Sequence, residues 1–255
     1  QSVASLYPNK DANEFKRYIL FAKNDAGFSL LQDAIVTGQP DLFQSVAALY
    51  QDKNSDEFKH DILFAKNKAG FSLLNQAILY GNPDLFQSVA ALYNDTHPGA
   101  LNRYILFHKN NAGFSLLQQA IVSGNPDLFQ CVVDLYPDKG ADEFKYNILF
   151  AKNKAGFSLL QEAIVTGNTK LFDYVADLYP NKDADKFESN ILFAKNKAGF
   201  SLLQHTIICG KPDLFDRVAK LYKDTNPAEF NHKILFAKND AGFSLLQDAI
   251  VTGQP

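Results

Sequence analysis

One string of residues recurs six times in this chain and constrains its architecture more than any other feature. Copies of ILFAKN-x-AGFSLL are 43 residues apart, without an insertion or deletion, and the one internal departure is His108 in place of alanine. The copies begin at Ile19, Ile62, Ile105, Ile148, Ile191 and Ile234. A fixed period of this length is typical of stacked supersecondary units in which each unit contacts its neighbours. The sequence therefore predicts a repeat array rather than a globular domain with one central pocket.

The period divides residues 1–255 into a single array of repeats. The predicted units are a partial unit 1–18, full units 19–61, 62–104, 105–147, 148–190 and 191–233, and a partial unit 234–255. Residues 234–255 are identical to residues 19–40, so the last unit has the sequence of an internal one. Its apolar side chains would lack a neighbour, at a cost of roughly 25 cal/mol per Å² left bare. We therefore expect either a segment of a longer array or copies that stack head to tail.

Each repeat contains signals for two adjacent helices, illustrated by residues 62–104. Ser72 with Asn75 three residues later forms a capping box, and the other copies carry Gln in place of Asn75. Gly81 is placed to end this first helix. Pro83 then opens a second helix, since proline is tolerated at the first helical position. Apolar residues lie on both flanks of the second helix, as expected for an inner member of a stack.

The residues before each Gly turn allow two interpretations. Phe58, Ile62 and Ala65 fit helical spacing, and the preceding Asp-Glu favours a helix start. A short strand through the ILFA segment is the alternative, because a four-residue apolar run is ambiguous. We favour a third helix, which predicts an all-α solenoid with about three short helices per 43-residue unit.

The first two helices and the turn before them resemble the ankyrin repeat. Residues 67–93 read NKAGFSLLNQAILYGNPDLFQSVAALY. In this stretch Gly70 matches the ankyrin turn glycine, Ser72 the capping Thr, Leu74 the Leu, Ala77 the first core Ala, and Gly81 the glycine between helices. The resemblance implies an ankyrin-like fold, with protein partners bound on an exposed surface.

Two departures from the ankyrin pattern matter. Ser-Leu-Leu-Gln replaces Thr-Pro-Leu-His, and the unit exceeds the usual ~33 residues by about ten. The excess falls at the ankyrin β-hairpin, so the chain resembles a long variety with an extra helix in place of much of that hairpin. A three-helix armadillo-like array, with a period of ~40–47 residues, is the competing assignment.

Composition and motifs argue against several functional classes. The net charge of −3 gives no electrostatic case for nucleic-acid binding, and no apolar run is long enough for a membrane span. The five histidines occupy five different repeat positions, and no metal-ligand spacing, nucleotide-binding loop or nucleophile motif is present. We therefore predict no enzymatic activity, no catalytic residues, no metal and no cofactor.

Lysines recur in register immediately before the turn asparagine. They are Lys23, Lys66, Lys109, Lys152, Lys195 and Lys238. Stacking would align them in a row. One interpretation is a basic surface for an acidic partner; the simpler one, which we favour, is a solvated edge offset by nearby acids.

Partner specificity in a repeat array is expected at exposed positions that differ between units. The first variable position, in the turn, holds Asp25, Lys68, Asn111, Lys154, Lys197 and Asp240. The second, on the first helix, holds Asp33, Gln76, Gln119, Glu162, His205 and Asp248. The third, at the end of that helix, holds Thr37, Tyr80, Ser123, Thr166, Cys209 and Thr252. We predict that the first two positions and Tyr80 form an exposed protein-binding strip.

The function predicted from these features is a non-enzymatic protein-interaction scaffold within a larger polypeptide. Two alternatives stay open: a structural protein that assembles head to tail into a filament, and an array that serves an enzyme or toxin domain elsewhere in the parent chain.

Overall fold

The computed structural model describes residues 13–97, 99, 101, 105–179 and 185–253. The chain forms two compact units, residues 1–111 with 130–135 (unit 1) and residues 112–129 with 136–255 (unit 2). Regular structure in the described residues is helical, and extended pairing is limited to isolated bridges at Lys23–Ser29 and Lys238–Ser244. The predicted all-α class is confirmed.

Unit 1 contains two complete groups of helices from successive repeats. Its helices are α1 (Asn13–Phe15, continued by a π-helix Lys16–Leu20), α2 (Leu30–Val36), α3 (Pro40–Ala47), α4 (Asp56–Phe58, continued by a π-helix Lys59–Leu63), α5 (Leu73–Tyr80) and α6 (Pro83–Thr96). Within a repeat, α2 packs on α3 and α5 on α6; between repeats, α2 packs on α5 and α3 on α6.

Unit 2 repeats the same arrangement. Its helices are α7 (Leu116–Val122), α9 (Asp142–Phe144, continued by Lys145–Leu149), α10 (Leu159–Thr166), α11 (Thr169–Asp177), α12 (Asp185–Phe187, continued by Glu188–Leu192), α13 (Leu202–Ile208), α14 (Pro212–Thr225), α15 (Pro227–Phe230, continued by Asn231–Leu235) and α16 (Leu245–Thr252). The remaining helix, α8 (Pro126–Asp134), contains residues of both units. First helices stack as α7 on α10, α10 on α13 and α13 on α16. In each unit the helices stack as expected for an α-solenoid.

The predicted helix boundaries are confirmed where their sequence signals lie. Ser72 caps α5 in a complete capping box with Asn75, and Gly81 ends that helix in the left-handed region at φ 68°. Pro83 opens α6, whose N-cap is the side chain of Asn82. The corresponding capping boxes occur at Ser29, Ser115, Ser158, Ser201 and Ser244.

The segment that could be a helix or a strand is helical, and it is wound as a π-helix. After one α-turn at Asp56–Phe58 the chain widens, and the backbone N–H of Phe64 donates to the Lys59 carbonyl, five residues back, at 3.0 Å. π-Helical turns are rare and need outside contacts to persist. The helix ends at Leu63, so Ala65 lies outside it.

In four repeats a buried tyrosine near the C-terminal end of the second helix supplies such a contact. The Tyr93 hydroxyl donates to the carbonyl of Leu63, the last residue of the π-helix, at 2.6 Å. The same bond joins Tyr50 to Leu20, Tyr179 to Leu149 and Tyr222 to Leu192. The tyrosine ring also contacts a third-helix phenylalanine, as for Tyr50 and Phe58 with centroids 5.1 Å apart. Tyr50, Tyr179 and Tyr222 therefore each contact the third helices on both sides.

Candidate protein-binding surface

The turn before each first helix contains an asparagine, which is buried at Asn67, Asn153, Asn196 and Asn239 and exposed at Asn24. In the turn that leads to α5, Asn67 Oδ1 accepts hydrogen bonds from the backbone N–H groups of Ala69 and Phe71, both at 3.0 Å. The Asn67 backbone N–H donates to the Phe71 carbonyl at 3.0 Å. Because its amide oxygen and its backbone are both used in the loop, this asparagine fixes the shape of the turn. Asn153, Asn196 and Asn239 make the same bonds in unit 2.

The first variable position lies at the exposed tip of this turn in each described repeat. The tips of successive repeats interlock within a unit. The Lys68 backbone N–H donates to the Ala26 carbonyl at 3.3 Å, and that of Lys197 donates to the Ala155 carbonyl at the same distance. The tips therefore form a continuous edge within each unit, with the variable side chains on it.

The second variable position is buried, which corrects the prediction that it is exposed. Gln76, Gln119, Glu162, His205 and Asp248 are buried, and only Asp33 is exposed. Contacts beyond the local helix cover them: His205 packs on Phe157 of the preceding repeat, and Asp248 accepts from Gln204 of the preceding repeat. Where the residue is acidic, its carboxylate accepts a hydrogen bond from the side-chain NH2 group of the turn asparagine, as in Asn239 Nδ2 to Asp248 Oδ1 at 3.0 Å. The same link joins Asn24 to Asp33 and Asn153 to Glu162.

Burial changes the acid–base behaviour of this position. It raises the pKa of Glu162 to about 7, against the opposing effect of the hydrogen bond from Asn153. It lowers the pKa of His205, whose ring contacts Phe157 at 4.9 Å and whose Nδ1 is buried without a hydrogen-bond partner. A neutral His205 and a readily protonated Glu162 are the expected response to a low-dielectric setting.

The third variable position has a structural use in most repeats. The hydroxyls of Thr37, Ser123 and Thr166 each donate to the backbone carbonyl three residues back at 2.7 Å. This bond supplies a donor to a carbonyl in the last turn of the first helix. Tyr80 differs, because its ring is an exposed apolar surface on unit 1.

An exposed aliphatic residue immediately before the third variable position was missed by the sequence analysis. In unit 1 it is Val36 and Leu79; in unit 2 it is Val122, Val165, Ile208 and Val251. Their exposed fractions lie between 38% and 70%. The sequence did contain a signal for this position: in every repeat, one aliphatic residue of the first helix lies outside the apolar stripe that faces the core.

The in-register lysines bridge neighbouring repeats in unit 2. Lys195 Nζ donates to the Lys238 carbonyl at 2.7 Å, and Lys152 Nζ lies 3.5 Å from the Lys195 carbonyl. Each ammonium group thus lies over the turn of the next repeat, and burial lowers the pKa of Lys152.

The described part of the chain contains no group of three or more His, Cys, Asp or Glu side chains that could hold a metal ion. Among the same residues, no helix has both the length and the apolar character needed to cross a membrane.

The interlocked turns, capped helix pairs and repeat-to-repeat stacking define an ankyrin-repeat fold. Among solved structures, the crystal structure of the ankyrin repeat domain of Bcl-3, described as a unique member of the IkappaB protein family, is similar to this chain. The two superpose with a TM-score of 0.61 at 16% sequence identity, over 97% of this chain and 86% of that one. No protein-family model and no curated protein sequence matches the chain. The predicted ankyrin-like fold is confirmed, and the armadillo-like alternative is set aside; the long 43-residue variety stays a prediction.

Proposed function

We propose that this chain is a non-enzymatic scaffold that binds protein partners through its turn edges and the exposed ends of its first helices. One observation carries the proposal: the apolar core positions are nearly identical in successive repeats, whereas the exposed turn tips differ between them. Leu74, Ala77 and Ile78 and their equivalents on α7 and α10 form the buried core, and the turn tips carry an acid, a base or an amide. Such a division is expected when the core is needed for stacking and the surface for recognition.

The exposed aliphatic residues support the same role. Each first helix presents one such residue, beside a threonine, serine, cysteine or tyrosine. An apolar side chain repeated in register on a surface is typical of an interaction site. Polar turn tips and apolar helix ends would together offer a partner both specificity and buried area.

Selection from a random peptide display library on the immobilised full chain tests this function. The affinity of selected peptides is then measured for Lys68→Ala combined with Tyr80→Ala, which removes two exposed residues of unit 1. Ser45→Ala combined with Gln87→Ala, on second helices, is the control. We expect unit 1 binders to lose about tenfold in affinity only with the first pair. Failure to select any peptide, or equal losses with both pairs, would contradict the proposal.

A second candidate function, head-to-tail assembly, is favoured by one surface of unit 2. Leu246, Ile250 and Val251 on α16 are 70–71% exposed, and α16 with α13 and α14 lines an apolar groove of about 660 Å³. Light scattering against protein concentration tests this function, with Ile250→Asp as the disrupting variant. A chain that stays monomeric at high concentration eliminates the filament.

A further inference from the structure

We propose that the turn edge of unit 2 binds an extended acidic protein segment whose carboxylates recur at about every third residue. The binding surface, called the lysine edge, consists of Lys152, Lys154, Lys195, Lys197 and Lys238. This inference rests on the proposed protein-binding function and names the class of partner for one of its surfaces.

The lysine edge is held in register by contacts between consecutive turns. A Cβ built on Gly113 would lie 2.8 Å from Lys154 Cγ, and one built on Gly156 would lie 2.9 Å from both the Cγ and the backbone nitrogen of Lys197. The stems of these two lysines therefore pack directly on the glycine of the preceding turn. Such packing fixes where the side chains leave the surface and reduces the entropy lost when a partner binds.

Three lysines of this edge form no ion pair with an acid among the described residues. Lys195, Lys197 and Lys238 form no ion pair with any other described residue, and the ion pairs Lys170–Asp127, Arg217–Asp173 and Lys233–Glu229 involve other lysines or arginine. The acids nearest in register, Glu162 and Asp248, are buried and hydrogen-bonded to Asn153 and Asn239. Asp240 is the exposed acid of this edge, at the last described turn. These three lysines are solvated, as favoured from the sequence, and their charges are available to an acidic partner.

Geometry selects the form of the partner. Stacked helices are separated by roughly 10 Å. An extended chain in the polyproline II conformation has three residues per turn and rises about 3.1 Å per residue, so residues three apart lie on the same face, about 9 Å from each other. Carboxylates three residues apart therefore match lysines one repeat apart, whereas adjacent carboxylates do not. A nucleic acid is a poorer match, because its charges are dense and continuous while the whole chain carries −3.

The test measures fluorescence anisotropy of a labelled peptide with glutamate at every third position between serines. An isomer of the same composition with all glutamates adjacent is the matched probe, and a single-stranded uridine homopolymer is the nucleic-acid probe. Lys154→Asp with Lys197→Asp is the edge variant; aspartate already occupies this turn position at Asp25 and Asp240, so the turn accepts it. Lys220→Asp with Lys223→Asp makes the same charge change on α14.

We expect the spaced peptide to bind at least about fivefold more tightly than its isomer and to weaken as salt is raised. The edge variant should lose about tenfold in affinity and the α14 variant less than about twofold. No binding, equal binding of the two peptides, equal losses in both variants, or tighter binding of the uridine homopolymer would each overturn the proposal. None of these results affects the test of the scaffold function, which uses unit 1 residues.

Discussion

The buried tyrosine near the C-terminal end of the second helix illustrates how a single residue supports the repeat. In a π-helix the last carbonyls lack partners within the helix, and a buried carbonyl left without a hydrogen bond is costly. The hydroxyl of the following second helix reaches that carbonyl from 30 residues away in the sequence. The constant spacing of 30 residues between the leucine that ends the π-helix and this tyrosine therefore allows the same stabilising hydrogen bond to form in these repeats.

Removal of this hydroxyl should measurably weaken the fold. Tyr93→Phe leaves the ring in place but deprives the buried Leu63 carbonyl of its donor, so we expect a loss of about 1–2 kcal/mol in the free energy of unfolding. Tyr80→Phe, the same change at an exposed ring, is the control, and it should alter stability by less than about 0.5 kcal/mol. Urea denaturation of both variants measures the difference. Equal stabilities would mean that the Leu63 carbonyl finds another donor.

Glu162 should make stability depend on pH. Its pKa is raised by burial from 4.5 to about 7, so the folded chain binds its proton more tightly than the unfolded chain. The resulting stabilisation is complete below about pH 4.5 and is lost as the pH rises through 7. Glu162→Gln, which introduces the residue of Gln76 and Gln119, removes this effect. We expect the variant to gain about 2 kcal/mol over the parent chain between pH 5 and pH 8.

Urea denaturation at several pH values checks this expectation. The reverse substitution, Gln119→Glu, places a carboxyl at the same buried position one repeat earlier. We expect this variant to lose stability relative to the parent chain as the pH rises from 5 to 8, whereas Glu162→Gln gains it. A stability difference between Glu162→Gln and the parent that does not change with pH would show that Glu162 is hydrated in the folded state.

At the scale of helices and turns, the glycine of the turn serves two separate requirements. Gly156 has φ 83°, where other residues are strained, and a Cβ there would meet the Lys197 backbone nitrogen at 2.9 Å. Gly242 has the same φ with nothing within 4 Å. Gly242 is therefore required only for its positive φ, whereas Gly156 is required both for its positive φ and for the close approach of the next turn.

We expect Gly242→Ala to cost about 1 kcal/mol, the strain of a left-handed backbone. Gly156→Ala should cost about 1–3 kcal/mol more, because the turns of adjacent repeats must also move apart. Thermal unfolding of the two variants side by side measures the difference. If both cost the same, the turns are free to separate and do not stabilise the stack.

The helices were predictable because their signals are local, whereas the buried second position was not. Ser72, Gly81 and Pro83 act within a few residues of their own backbone, so their roles follow from the sequence. Glu162 contacts Asn153, nine residues earlier, and His205 packs on Phe157 of the preceding repeat; neither contact changes the local pattern. Polar residue types at a varying position suggest solvent exposure, and here that inference was wrong for five of the six residues.

At the scale of the whole molecule, a residue's contribution to stability depends on its place in the array rather than on its identity. Repeat arrays are stabilised by contacts between neighbours, so the same side chain in the same motif can be essential or neutral. The second leucine of Ser-Leu-Leu-Gln is 0% exposed at Leu160 and 71% exposed at Leu246. Both residues lie in the first turn of a capped helix in unit 2.

Truncation of these two leucines isolates the contribution of the stack. Leu160→Ala should cost about 2–5 kcal/mol, because it opens a cavity between helices that cannot close around it. Leu246→Ala should cost less than about 0.5 kcal/mol in a monomer. Denaturation of both variants at low protein concentration gives the comparison. A large loss for Leu246→Ala that appears only as the concentration rises would show that copies of the chain cover α16, since residues buried by association contribute to stability only when the partner is bound.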